Sequence, residues 1–333
     1  MARLPITLAC GSYDRTRALE DGRVPVQGVD LRYIALEPEE VFFRMLKYGE
    51  FDVSEMSLAT YLLSHANEGP FVAIPVFPSR MFRHNSIYVN GNRLPAGETP
   101  AGSARALTGS TVGVAEYQLT ANVWVRGILE EQYGVPADSV RYRTGGLNTP
   151  GRVEKFALDL PREIDIAPIG PHQTLSDLLA SGDIDAVYSP RAPQSYGTGA
   201  VRRLFADTRT EEERYFADTR IFPIMHVIVI HRRVYDGNRW LATELLKSFT
   251  AAKKLAYEAL ARTVALSLSL PFVREEYEQT VASMGADYWA YGVTPNHHTL
   301  STFVRYAVAQ GLVKQPPEPA GLFAPETSDA VVI

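Results

Sequence analysis

The pattern of apolar and polar positions in the first third of the chain predicts short strands that alternate with helices. The runs "ITLAC", "VDLRYIAL" and "FDVSEM" each have the length and composition of a strand. Between the last two, Pro38, Glu39 and Glu40 open a helix whose apolar positions recur every three or four residues, and Gly49 ends it. After the third run, Ser57 is placed to cap another helix. This alternation predicts a mostly parallel sheet covered by helices.

The same order of elements returns later in the chain. The stretches "LKYGEFDVSEMS" (46–57) and "LASGDIDAVYSP" (179–190) both pass from a helix end through a glycine and an acidic residue into a strand. Thr174 and Asp177 form a capping box at the start of the second copy's helix. The repetition indicates two similar lobes rather than one long sheet.

Glycine, proline and small residues separate the lobes. The segment 92–110 is rich in Gly, Pro, Ala and Ser and predicts a linker loop, after which "TVGVA" starts a second sheet. The apolar run "IMHVIVI" predicts a buried strand that returns the chain to the first lobe. We therefore expect an α/β protein of two lobes with a ligand cleft between them, two connecting segments near 84–110 and 200–228, and a tail on the surface. The expected divisions are lobe 1 in residues 1–100, lobe 2 in 101–222, and the return to lobe 1 with C-terminal helices in 223–333.

Composition and charge exclude several classes of protein. With 333 residues, two lobes are favoured over a single core. A net charge of -5 argues against a nucleic-acid surface, and the single cysteine, Cys10, excludes an internal disulfide and a cysteine-based metal cage. No stretch approaches the roughly 20 apolar residues of a membrane helix. Because the chain passes from Met1 into a strand-like run without a signal-peptide pattern, we expect a cytoplasmic location.

Polar side chains follow several predicted strands, where they would face the cleft. Arginines, tyrosines and helix N-termini together suit a planar carboxylate ligand, because arginine binds carboxylates through two hydrogen bonds and tyrosine packs on rings. The candidates at these strand ends are Tyr13, Asp14, Arg15, Ser57, Arg80, Arg83, His84, Glu116, Tyr117, Thr120, Ser189, Arg191 and His226.

Several candidates also have a simpler structural interpretation. Arg15 and Arg17 could be surface cations, and Ser57 could serve only as a helix N-cap. His226 lies in an apolar run, where a histidine is often a core residue bonded to the backbone. The histidines are not spaced as metal ligands, so we expect no metal site. No motif for nucleotide binding or for a serine nucleophile is present in the sequence.

Six stretches, in the same order from about Leu4 to Glu326, carry a resemblance to a known family. They are "FDVSEMSLATY", "FPSRMFRHNSIYV", "GVAEYQLTANVWVRGIL", "GDIDAVYSPRAP", "RIFPIMHVIVI" and "YGVTPNHHTLSTFVRYAVAQGL". Together they resemble the 4,5-dihydroxyphthalate decarboxylase family, which is related to the type II periplasmic solute-binding proteins. The resemblance implies a type II periplasmic-binding-protein-like fold and the loss of one carboxylate from 4,5-dihydroxyphthalate, giving protocatechuate and CO2. It implies no cofactor.

This reaction needs a cationic clamp for the carboxylate that stays, an acceptor for the phenol and an acid for the ring carbon. Arg80 or Arg83, together with Arg191, would be the clamp. In a regular strand, "FPSRMFRHNS" would place Arg80 and His84 on one face and Arg83 on the other. We therefore expect Arg80 and His84 to share the cleft.

Proton transfer would fall to a histidine, because imidazole titrates near neutral pH. His84 and His226 are the first choices, and Asp14 and Glu116 are the second. The remaining candidates would contact substrate.

Two other interpretations stay open. A solute-binding protein that delivers an aromatic carboxylate to a transporter would share this fold and this ligand chemistry. Another enzyme on the same fold, such as a dehydratase-type enzyme of menaquinone synthesis, would act on a different carboxylate. The absence of a signal-peptide pattern favours an enzyme. The expected partners are a small aromatic carboxylate and further copies of the chain in a homo-oligomer, with no nucleic acid and no membrane.

Overall fold

The computed structural model describes residues 2–155, 157–161 and 163–328. The chain divides into two compact units. Unit 1 comprises Met1–Arg80, Ile224–Leu300 and Pro317–Ile333, and unit 2 comprises Met81–Pro223 and Ser301–Pro316.

This division differs from the expected boundaries in two places. Residues 81–100 belong to unit 2, because the strand Ile87–Asn90 pairs with the strand Ala186–Tyr188 of that unit. Residues 301–316 also belong to unit 2, where Phe303 packs against Trp124 with 5.4 Å between ring centroids. The chain therefore passes between the units four times rather than twice.

Unit 1 is built on a five-stranded sheet. Its strands are β1 (Leu4–Cys10), β2 (Val29–Ala35), β3 (Val53–Ser57), β4 (Phe71–Arg80) and β11 (Ile224–His231). Its helices are α1 (Arg17–Glu20), α2 (Pro38–Tyr48), α3 (Leu58–Ala66), α8 (Arg232–Tyr235), α9 (Trp240–Leu260), α10 (Val273–Met284) and the first residues of α11 (His297–Ala309).

The order of this sheet is β2-β1-β3-β11-β4. β1 runs parallel to β2 and β3, whereas β11 runs antiparallel to β3 and β4. β3 is buried along its whole length, as expected of a strand covered on both faces. The predicted strands of the first third are confirmed. The predicted helix is α2, with Pro38 in its first turn and Gly49 at a φ of 56° as its cap.

Unit 2 contains a six-stranded sheet. Its strands are β5 (Ile87–Asn90), β6 (Thr111–Val114), β7 (Arg141–Thr144), β8 (Ile166–Pro168), β9 (Ala186–Tyr188) and β10 (Val201–Arg203). Its helices are α4 (Pro100–Arg105), α5 (Thr120–Tyr133), α6 (Leu175–Ser181), α7 (Thr208–Thr219) and the remainder of α11.

The order of the second sheet is β10-β5-β9-β6-β7-β8, with β6 parallel to β7 and β9 and with β5 antiparallel to its neighbours. Thr174 caps α6 as predicted, since its Oγ1 accepts the backbone N–H of Asp177 at 3.1 Å. Leu175 and Leu179 of α6 pack with Val187 of β9 in the core of this unit.

Two predictions about irregular segments are corrected. The segment 92–110 is not wholly a loop, because α4 forms within it after the N-cap Thr99. The tail does not lie wholly on the surface: Leu322, Phe323 and Ala324 are buried, and Phe323 bridges to Ala73. Buried apolar surface holds this part of the tail against unit 1. The prediction for residues 329–333 lies outside the described residues. Among the helices described, none is both long enough and apolar enough to cross a bilayer.

Candidate active site

The polar side chains of unit 1 gather at one edge of its sheet. β1 and β3 end there, β4 ends there, and the antiparallel strand β11 begins there. In the register of the sheet, His226 lies opposite Ser57 on one side and opposite Ser79 on the other. This edge is where an open α/β sheet places ligand-binding groups.

Glu55 and His226 form a close pair at this edge. Glu55 Oε1 lies 2.5 Å from His226 Nδ1, and it also accepts the hydroxyl of Tyr13 at 2.9 Å. The other oxygen, Oε2, accepts the backbone N–H of Gly11 at 2.9 Å and the thiol of Cys10 at 3.4 Å. Glu55 is fully buried, so these donors replace the water that its carboxylate would otherwise bind.

These contacts favour an ionised Glu55. Burial alone would raise its pKa, but the charge of His226 and the hydrogen bonds from His226, Gly11 and Tyr13 bring the pKa below its usual value. Because a carboxylate can only accept hydrogen bonds, the proton of the short contact belongs to His226 Nδ1. The other ring nitrogen, Nε2, is then the position at which His226 can give or take a proton.

The hydroxyl of Tyr13 reaches Glu55 because residue 11 is glycine. A Cβ at position 11 would lie 2.6 Å from the ring of Tyr13, closer than such atoms come in proteins. Burial and the neighbouring carboxylate of Glu55 raise the pKa of Tyr13, so its hydroxyl stays protonated and donates.

Arg15 is held beside the same tyrosine. Its guanidinium lies 4.3 Å from the ring centre of Tyr13 and 4.2 Å from that of Trp289. Nε donates to the carbonyl of Pro78 at 2.6 Å, and Nη1 donates to Asp14 at 3.0 Å. Nη2 donates to none of the described residues. Arg15 is therefore a fixed cation with one nitrogen left to bind an anion, and not a mobile surface residue.

Two further candidates of unit 1, Asp14 and Ser57, lie at its surface and at a helix end. Asp14 is exposed and forms its ion pair with Arg15. Ser57 is the N-cap residue of α3 and is buried, but its side chain makes no capping hydrogen bond. Both are close in sequence to the Glu55–His226 pair or to Arg15, and their roles stay predictions.

Arg80 and His84 do not lie on one strand face. β4 ends at Arg80, and His84 begins a short 3-10 helix in unit 2, so the regular alternation that would align them stops between the two. Arg80 Nη2 donates to the carbonyl of Ala290 at 2.7 Å and to the side chain of Asn296. Through these contacts Arg80 has a structural role: it connects the end of β4 to the segment before α11.

His84 lies inside a group of aromatic rings. The ring centres of Tyr133, Phe205 and Tyr215 lie 6.3, 5.7 and 5.3 Å from that of His84. The histidine is 1% exposed, and neither ring nitrogen has a hydrogen-bond partner among the described residues. Burial lowers its pKa to about 4. This position argues against the expected role of His84 in proton transfer.

Arg83 is also buried in unit 2. Its Nη1 lies 3.5 Å from both Met81 Sδ and Ser86 Oγ, and burial lowers its pKa to about 10. Ser189 is buried and accepts the backbone N–H of Arg191 at 3.2 Å, whereas the side chain of Arg191 is exposed. Substrate contact by these three residues stays a prediction.

Glu116 is part of a charged cluster in unit 2. Its Oε1 accepts two hydrogen bonds from Arg152, at 2.9 and 2.7 Å, and lies 3.1 Å from Lys155. Burial opposes its ionisation, but the two cations bring its pKa below the usual value. Tyr117 is buried beneath Arg126 with 3.8 Å between the cation and the ring centre, and Thr120 is the first residue of α5. These contacts give Glu116 and Tyr117 structural tasks.

Comparison with known proteins shows which family this chain belongs to. The 4,5-dihydroxyphthalate decarboxylase of Comamonas testosteroni is 38% identical to this chain over 336 aligned positions, which cover 100% of both proteins. This chain belongs to the 4,5-dihydroxyphthalate decarboxylase family. A second relative of the same name, from Pseudomonas putida, is 44% identical over 210 positions, covering 62% of this chain and 79% of that protein.

The fold of this family member is that of the periplasmic binding proteins. The periplasmic aliphatic sulphonate-binding protein SsuA of Escherichia coli superimposes with a TM-score of 0.51 at 14% identity, over 98% of this chain and 99% of that one. The predicted fold class and the predicted family are both confirmed. No family model matches the chain. In the described part of this family member, no three His, Cys, Asp or Glu side chains are grouped as metal ligands would be.

Glu55, which accepts hydrogen bonds from Cys10, Gly11, Tyr13 and His226 at this edge, was not among the candidates predicted from the sequence. Glu55 stands in the middle of "FDVSEM", which was interpreted only as a buried strand. A glutamate inside such a run is itself a signal, because a buried carboxylate needs a partner. His226, inside the apolar run "IMHVIVI", is the matching signal in the strand that pairs with it.

Proposed function

We propose that this protein removes one carboxylate from 4,5-dihydroxyphthalate, producing protocatechuate and CO2, and that His226 transfers the proton. The observation that carries the proposal is the contact of Glu55 with His226 Nδ1 at the carboxyl edge of the unit 1 sheet, in a member of the decarboxylase family. A histidine oriented by a buried carboxylate is a common arrangement for a general acid or base.

The reaction is redox neutral and consumes one proton. In 4,5-dihydroxyphthalate each carboxylate is para to one hydroxyl, so that oxygen can push an electron pair toward the ring carbon that carries the departing carboxylate. His226 Nε2–H donates its proton to that carbon. The bond to the carboxylate then breaks, its electron pair restores the aromatic ring, and CO2 leaves. Solvent returns the proton to His226.

Glu55 supports the charged form of His226 in this scheme. Its carboxylate holds the Nδ1 proton and stabilises the positive charge that the imidazole carries before it acts as an acid. Tyr13 and Gly11 keep Glu55 in place through the other hydrogen bonds. These three residues orient His226 and need not touch substrate.

Arg15 is the group in unit 1 best placed to bind the carboxylate that stays on the ring. Stacking on Tyr13 and Trp289 fixes its guanidinium, and Nη2 remains for the anion. We assign this contact to Arg15 in place of Arg80, whose Nη2 is used by Ala290 and Asn296.

Purified protein with 4,5-dihydroxyphthalate tests the proposal. With a chelator present and no cofactor added, one protocatechuate and one CO2 should form for each substrate consumed. Tight binding of 4,5-dihydroxyphthalate without turnover would contradict the proposal and favour a solute-binding protein. Absence of both binding and turnover would indicate that the substrate is another aromatic acid.

The cytoplasmic location also stays a prediction. Fractionation of cells that express the protein tests it directly. Recovery of the protein with periplasmic markers would contradict it.

A further inference from the structure

The segment between α9 and α10 presents a row of large apolar side chains to solvent. Every residue from 261 to 272 is exposed. The apolar positions and their exposed fractions are Val264 at 97%, Leu266 at 53%, Leu268 at 42%, Leu270 at 61% and Phe272 at 72%. The next element, α10, is described in full and contains no buried residue. This surface therefore extends over two consecutive parts of the chain.

The exposed apolar area is larger than a monomeric protein usually exposes. A large apolar side chain has a surface of roughly 150 Å², so the exposed fractions of these five side chains correspond to about 500 Å² of apolar surface in total. Soluble monomers seldom expose a continuous apolar patch of more than a few hundred Å², and larger patches mark interaction sites.

The backbone of this segment forms no regular element. Within the described part of the chain, no backbone N–H or C=O of residues 263–269 makes a hydrogen bond, and the chain bends at residues 263–265 and 267–269. Apolar residues occupy every second position from 264 to 272. The apolar side chains are therefore what this segment offers to a partner.

We propose that residues 262–272 form a docking surface for a second copy of this chain, with the two segments antiparallel and their apolar rows packed face to face across a two-fold axis. A two-fold pairing brings the same surface from both copies together, so both apolar rows are covered at once. Complete burial of the two apolar rows removes about 1,000 Å² from solvent, which is the lower limit for a specific interface.

Charge at the two ends of the segment supports the antiparallel arrangement. Arg262 precedes the apolar row and Glu275 follows it, and neither forms an ion pair with a described residue. Antiparallel pairing brings Arg262 of one copy toward Glu275 of the other. The glutamates of α10 (Glu275, Glu276 and Glu278) disfavour the other apolar occupant, an anionic lipid surface.

Mass in solution tests this interface in the full-length protein. Wild type should have a mass of at least twice the 36.9 kDa of one chain, and the double variant Leu266→Asp, Leu270→Asp should have half the wild-type mass. Val153→Asp in unit 2, where the valine is 78% exposed, is the matched control and should keep the wild-type mass. A wild-type monomer would overturn the proposal, as would an unchanged mass of the double variant. Wild-type monomers that sediment with phosphatidylserine vesicles would overturn it in favour of a membrane.

A cross-link tests the two-fold geometry separately. Cys10 is fully buried, so Ser267→Cys introduces a thiol at the surface that Cys10 does not compete with. Mild oxidation should join two chains of this variant at low protein concentration, because the axis brings the two thiols together. Ser181→Cys, at an exposed serine of unit 2, should remain uncoupled. Equal cross-linking of the two variants would overturn the antiparallel pairing, whatever the mass measurement shows.

Discussion

Glu55 and His226 stand on neighbouring antiparallel strands, with Glu55 Oε1 at 2.5 Å from His226 Nδ1. The carboxylate is fully buried, whereas the side chain of the histidine is 18% exposed. The pair therefore extends from the interior of the sheet to its surface, and Nε2 of His226 remains available for proton transfer.

Glu55→Gln should lower kcat by about 100-fold with little change in fold. The amide keeps the size of the side chain, but it cannot stabilise a positively charged His226. Steady-state formation of protocatechuate measures the effect, and circular dichroism checks the fold. Glu50→Gln is the matched control, since Glu50 is exposed and pairs with Arg44. If the Glu55→Gln enzyme were as fast as the control, Glu55 would not support His226 in the reaction.

Arg15→Lys should raise KM for the dicarboxylate by roughly 10- to 100-fold, the equivalent of one charge-assisted hydrogen bond. A lysine keeps the charge but loses the planar group that stacks on Tyr13 and Trp289. Since the carboxylate that stays is bound before and during the reaction, kcat should change less than KM. Arg17→Lys, two residues away and exposed, is the control. Equal KM values for the two variants would contradict the role of Arg15.

His84 should make the protein less stable in acid. Its pKa is about 4 in the folded protein against an ordinary value of 6.5, so the unfolded chain binds a proton more readily than the folded one. The stability is fully present above pH 6.5 and declines as pH falls from 6.5 to about 4, by about 3 kcal/mol in total.

His84→Phe should remove this decline, because phenylalanine suits the surrounding rings and has no proton to bind. Urea unfolding of the wild type and the variant at a series of pH values measures it. Parallel curves for the two proteins over this range would show that His84 is not the cause.

The sequence was sufficient to predict most strands of unit 1 but not the partners of its polar residues. "ITLAC", "FDVSEM" and "IMHVIVI" were recognisable as strands from their apolar runs alone. The pairing of β3 with β11 joins residues more than 160 positions apart, and only this pairing brings Glu55 to His226. The local pattern shows that a buried Glu55 needs a partner, but it does not show which residue that partner is.

The segment "FPSRMFRHNS" shows a different limit. Strand alternation predicted that Arg80 and His84 share one face and that Arg83 lies on the other, but the chain leaves β4 at Arg80 and enters unit 2 before His84. Arg80 donates to Ala290 and Asn296, and His84 is enclosed by Tyr133, Phe205 and Tyr215. The passage of the chain from unit 1 to unit 2, and not the alternation of side chains along a strand, determines where Arg80 and His84 lie.

The proposed reaction depends above all on proton transfer by His226, which the variant His226→Ala removes. Binding of 4,5-dihydroxyphthalate and single-turnover formation of protocatechuate should be measured on the same preparation, with the exposed His172→Ala as control. His226→Gln provides a second variant if the alanine protein does not fold. Binding should persist while the rate of protocatechuate formation falls by about 10²–10⁴-fold. A folded His226 variant that binds substrate and turns it over at the rate of the control would contradict it.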